Sequence, residues 1–173
     1  MDTTWREALG RRFAAAIDQL EDAVRRCPDE LWQENLWVVT PDDPGVALDE
    51  AALQVYSEFW YLAYHALFFL DLYLSGGLEQ LDAGFAPPAP FLAEEHAAAV
   101  LPARVYTRAE LEAYVAHCRR KAQATAEALT EEGWRRPCRW GRGETSFAEL
   151  LLVNLGHVRE HTAQLGMWLG QRG

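Results

Sequence analysis

The stretch Ser146–Leu169, SFAELLLVNLGHVREHTAQLGMWL, reads as one long helix carrying two histidines, His157 and His161, four residues apart. Four residues is slightly more than one helical turn, so both imidazoles lie on one face with Cβ atoms about 6 Å apart. That face is also the apolar one. Phe147, Leu150, Asn154, His157, His161, Leu165 and Trp168 fall on a single stripe at helical period. The pair therefore points into the protein. Two inward imidazoles this close either share a divalent metal or are separately hydrogen-bonded in the core, and the shared metal is the favoured reading.

The rest of the chain supplies a scaffold for such a site. A first helix is predicted over Trp5–Arg26, opened by a Thr4/Glu7 capping box and ended by Cys27-Pro28. Its inner stripe is Trp5, Leu9, Phe13, Ala16, Ile17, Leu20 and Val24. Residues 29–46 read as a connection with one helical turn near Asp29–Gln33, and its Trp32 and Trp37 are expected to fold onto the helices. A second helix runs from Asp49 to Ser75-Gly76-Gly77 and is apolar around nearly its whole circumference, with His65 at its middle. Such a helix is buried on more than one side, which predicts a homodimer using part of Phe59–Tyr73. Residues 76–106 form a long, Pro-rich link, long enough to cross a full bundle edge between the second and third helices. The third helix starts at the Thr107/Glu110 capping box, presents Leu111, Tyr114, Val115, Cys118, Ala122, Thr125 and Leu129 inward, and stops at Gly133. A short loop with Pro137, Gly141 and Gly143 then leads to Ser146 and Glu149, a third capping box. The fold class is all-α: one domain, residues 1–173, built as a four-helix bundle with a long crossover between helices two and three.

Composition narrows the function classes. Half of the 173 residues are hydrophobic, 12% are aromatic and the formal net charge is −10. An acidic chain without a basic stripe is not a nucleic-acid binder. The longest apolar run is interrupted by His65 and Asp71, too polar for a membrane span. Cys27, Cys118 and Cys138 are odd in number and far apart, and the N-terminal stretch lacks a signal-peptide run, which together predict a reducing, cytoplasmic setting.

His65 is the natural third ligand for His157 and His161. All three sit near the middle of their helices, the depth at which bundles build metal sites. Three histidines with an open position is the donor set of a catalytic rather than a structural zinc site. Glu160 flanks the inward face as a candidate general base on metal-bound water, or as a solvated carboxylate. Asn154 and Gln164 lie one turn outside the pair, where they can orient the ligands or simply pack. His96 and His117 read as surface residues, Cys118 as core.

These residues resemble the DinB/YfiT-like superfamily. The matching stretches are YLAYHALFFLDLYL, residues 61–74, and NLGHVREHTAQLGMWL, residues 154–169, together with the long link and the helix pattern. The resemblance implies an up-down-down-up four-helix bundle. It also implies a divalent metal, zinc or nickel foremost, held by His65, His157 and His161. Relatives often carry further histidines where this chain has Glu160 and Gln164. The better-known relatives are S-transferases and isomerases that use mycothiol or bacillithiol, which implies a small-molecule substrate and a low-molecular-weight thiol as cosubstrate. Metal-dependent hydrolysis and a non-enzymatic, metal-stabilised binding role are the alternatives. Substrate entry is expected near Trp32, Trp37 and Phe85, where the links cover the bundle end.

Overall fold

The computed structural model describes residues 3–39, 50–92, 101–140 and 143–172. His96 lies outside them. Four long helices dominate: α1 (Thr3–Arg26), α3 (Phe59–Ser75), α5 (Arg108–Ala128) and α7 (Phe147–Gly170). Three short ones join them: α2 (Glu50–Tyr56), α4 (Glu79–Asp82) and α6 (Glu131–Arg135). Helix α1 packs on α5 and α7, and α3 packs on the same two, so each long helix has two principal neighbours around one core.

The stripe predicted for α1 is buried at Leu9, Phe13, Ala16, Ile17, Leu20 and Val24, but Trp5 is 63% exposed. The helix has begun by Thr3, so Thr4 lies inside its first turn and is not its cap. In contrast, the Thr107/Glu110 box forms at the start of α5, and Arg104 pairs with Glu110 at 2.7 Å. At α7 half of the expected box forms. Ser146 Oγ accepts from the Glu149 amide at 3.2 Å, while the Glu149 carboxylate accepts the Thr145 hydroxyl at 2.5 Å.

The single helix expected from Asp49 to Ser75 is two helices. The chain turns extended at Glu58, and the first amides of α3 find carbonyls outside the helix. Phe59 N–H donates to Glu34 O at 3.1 Å and Trp60 N–H to Trp32 O at 3.1 Å, while Leu36 N–H donates to Ser57 O at 2.8 Å. The 29–39 connection thus satisfies the donors that a helix start leaves without partners, which makes the break stable. It contains one 3-10 turn, Asp29–Leu31, and it buries Trp32 against Phe59, with the indole N–H donating to Tyr106 O at 2.9 Å.

Almost all of α3 is buried within the one chain. Part of the cover comes from the long link. Phe91 stacks on Tyr64 and Tyr114, and Phe85 meets Phe68 edge-on. The circumference that suggested a homodimer is therefore covered from within the chain, and the apolarity of α3 by itself does not call for a second subunit. No helix among the described residues is long and apolar enough to cross a membrane.

Two further expectations are corrected. Gly133 does not stop the third helix: α5 ends at Ala128, and Gly133 sits inside α6, where its amide donates to Thr130 Oγ1 at 3.0 Å as part of that helix's cap. The loop before α7 contains an antiparallel hairpin, β1 (Pro137–Trp140) with β2 (Gly143–Ser146), which buries Cys138. The hairpin is anchored to the end of α3 by Leu78 N–H donating to Arg139 O at 3.0 Å. Gly77 makes that approach possible. Its φ is +105°, and a Cβ there would stand 2.6 Å from Arg139 O. Gly77→Ala is therefore expected to lower stability by at least about 1 kcal/mol, read as the denaturant midpoint. An unchanged midpoint would mean that the hairpin does not dock as described.

Candidate metal centre

His65 comes from α3, and His157 and His161 from α7. The helices meet so that the three imidazoles converge edge to edge. His65 Nε2 lies 3.2 Å from His157 Nε2, and His161 Nε2 lies 3.1 Å from the same atom. With metal–nitrogen bonds of about 2.0–2.1 Å, a tetrahedral ion holds its nitrogens roughly 3.3 Å apart. The spacing fits a shared divalent ion. Among the described residues no fourth His, Cys, Asp or Glu joins the cluster.

One of the three imidazoles has a neighbour placed to select its tautomer. His161 Nδ1 lies 2.8 Å from Gln164 Oε1, an oxygen that can only accept. With Nδ1–H donating to that oxygen, the Nε2 lone pair faces the other two rings. Such a contact is what an orienting role for Gln164, the alternative to simple packing, would use. Asn154 is fully buried one turn before His157, and its Nδ2 donates to Leu70 O at 3.1 Å, tying α7 to α3 beside the site. Glu160 is exposed on the flank of α7 and is not among the converging groups.

The surroundings are aromatic and uncharged. Phe69 lies 4.9 Å from the His65 ring and 5.5 Å from the His157 ring, and Tyr61 and Tyr73 each lie 6.3 Å from a histidine. Burial, followed by the other two imidazoles, holds His157 far below the ordinary histidine value of 6.5, down to about 2. The neutral ring is the form that ligates. This depression has a consequence for stability. Between these two values the unfolded chain takes up a proton that folded His157 refuses. The metal-free protein should keep its full stability above pH 6.5 and lose it as pH falls below, by at most about 1.4 kcal/mol per unit for this group. Denaturant melts of metal-free protein from pH 7.5 to 4.5 check this. A His157→Phe variant with the same slope would assign the loss to other groups.

Of the residues expected to mark substrate entry, Trp37 is exposed while Trp32 and Phe85 are packed against other aromatic rings. Trp32 is buried against Phe59 and Tyr106, and Phe85 packs on Phe68 with Lys121 over its ring. All three histidines are half-buried, as is Phe69 beside them. Two surface grooves, of about 610 and about 560 Å³, run along α1 against α5 and along α1 against α7. Neither is lined by a histidine, and the first has only ordinary surface charges around small side chains. The convergent histidines are the better candidate because they hold the only grouping among the described residues that suits a metal.

Sequence reasoning missed a second buried polar cluster. Asp71 on α3 is fully buried, and it accepts from Tyr114 Oη at 3.1 Å, His117 Nε2 at 3.2 Å and Lys121 Nζ, all from α5. Lys121 also reaches Ser75 Oγ at 2.6 Å and Asp71 O at 3.0 Å. His117 is thus half-buried against a carboxylate, not a simple surface residue. With every Lys121 donor engaged, the cluster is a clamp between α3 and α5. Cys118, the next residue, is core as expected, its Sγ 3.7 Å from Leu67 O.

No curated protein and no solved structure matches this chain. A family model does match, over residues 12–165, a span that includes all three histidines, the whole of α3 and α7 as far as Leu165. The chain belongs to the DinB superfamily.

Proposed function

We propose that this protein is a metal-dependent enzyme, most simply a thiol S-transferase of the mycothiol or bacillithiol type, with zinc or nickel at His65, His157 and His161. In this reading the long helices form a four-helix bundle of up-down-down-up topology, and the substrate is a small molecule met in the cytoplasm. The observation that carries the reading is the convergence of three ring nitrogens at a half-buried position with no fourth protein ligand among the described residues. Such a donor set leaves room for an exogenous ligand, and a divalent ion bound there would lower the pKa of a coordinated thiol or water.

The protein's own residues fit a borrowed thiol better than an internal one. Burial pushes the Cys27 thiol up to about 12 and the Cys118 thiol well above its ordinary value, and it raises Cys138 too. None of the three is poised as a nucleophile. Phe69, Tyr61 and Tyr73 pack their rings against the histidines. Metal-assisted hydrolysis uses the same centre with water in place of thiol. The test is spectroscopic and then chemical. Cobalt-substituted protein should change its visible spectrum on adding a small thiol, and thiol-dependent consumption of an electrophile should follow. A spectrum indifferent to thiols and to azide would remove the open position and leave a metal-stabilised binding protein.

A further inference from the structure

The two α7 ligands are not equally held. His161 has Gln164 three residues on, accepting from Nδ1 at 2.8 Å. His157 Nδ1 is buried and has no hydrogen-bond partner. Three residues before it, Asn154 Oδ1 is also buried and without a partner, although the residue is fully enclosed. One atom is an acceptor. The other must carry the proton whenever His157 ligates through Nε2, the nitrogen that faces His65 and His161. The Asn154 amide cannot turn freely, because its Nδ2 is spent on Leu70 O at 3.1 Å, which directs Oδ1 away from α3's backbone. Side chains three apart on a helix are neighbours. A single water is the size of link that satisfies a buried donor and a buried acceptor which do not touch.

We propose that Asn154 is the positioning residue of His157: its Oδ1 accepts, through one bridging water, the hydrogen bond that Nδ1–H of the liganded imidazole donates. Each α7 ligand would then be oriented by an amide of the same helix, His157 by Asn154 before it and His161 by Gln164 after it. Asn154 also ties α7 to α3, so the same side chain sets the spacing between His157 and His65. The inference rests on the three-histidine reading of the metal site, not on the thiol chemistry.

The test is zinc affinity, measured by chelator competition, in wild-type protein and in Asn154→Leu and Asn154→Asp. Leucine removes the acceptor; aspartate keeps it while losing the Leu70 contact. Asn154→Leu should bind zinc about 10–100-fold more weakly, the usual cost of losing such a partner. Asn154→Asp should stay at or near wild-type affinity. In zinc-loaded wild-type protein the His157 Nδ1 proton should be visible by NMR and protected from exchange. It should be exchange-broadened in Asn154→Leu. Equal loss in both variants would assign Asn154 a merely structural role and overturn the proposal. So would an unprotected Nδ1 proton in the wild type, a reading that stands even where a variant does not fold. Wild-type protein that binds no zinc would overturn the metal site itself, and this inference with it.

Discussion

His157→Ala is expected to leave the protein folded and without its divalent ion. His157 Nε2 lies within 3.2 Å of both other ligand nitrogens. Removing it leaves only two candidate ligands, His65 and His161, on different helices. Loss of a mere orienting partner costs about 10–100-fold in affinity, so loss of the ligand itself should exceed the upper end of that range. The fold should survive. His157 is half-buried, and its replacement opens space towards solvent, not a sealed core cavity. The check is metal content after dialysis, with helicity followed by circular dichroism. Unchanged metal content in a folded variant would place the ion elsewhere.

Lys121→Met is expected to be the costliest single change away from the metal. The Asp71 side chain is 1% exposed, and Lys121, at 26%, supplies its countercharge. Without the ammonium the carboxylate keeps only the Tyr114 and His117 hydrogen bonds in a low-dielectric interior. Breaking one side of a buried ion pair costs about 3 kcal/mol or more. For a chain of this size that corresponds to a fall of roughly 6–12 °C in the thermal midpoint. The sign of the double change is the sharper test. Asp71→Asn added to Lys121→Met removes the stranded charge and should restore part of the loss. If the double variant is less stable than Lys121→Met alone, the penalty is not electrostatic.

The pairing of His157 with His161, and Gln164 beside them, was legible because each depends on one helical face. His157, His161 and Gln164 share a face of α7, and helical period places them without knowledge of any partner helix. His65 was legible by contrast, as an imidazole amid apolar neighbours. The Asp71 clamp carried the same kind of signal and was passed over. A carboxylate in so apolar a helix needs a partner, and Tyr114, His117 and Lys121 at spacings of three and four form one stripe of α5. What hid it was that the pairing runs between helices whose relative register no local pattern sets. The break at Ser57-Glu58 was hidden for a similar reason. Neither residue is a helix breaker, and the extended turn is held by carbonyls of Trp32 and Glu34, far back in the chain. The hairpin at 137–146 has strands of only four residues, too short for alternation to show.

Three imidazoles of one chain are proposed to hold one divalent ion. Elemental analysis combined with X-ray absorption at the metal edge, on protein purified without a metal-affinity tag, tests it most directly. About one zinc or nickel ion per chain is expected, with imidazole scattering from three nitrogens at about 2.0–2.1 Å and an exchangeable donor completing the sphere. Protein free of stoichiometric metal, and unable to take up zinc, nickel or cobalt near neutral pH, would contradict it.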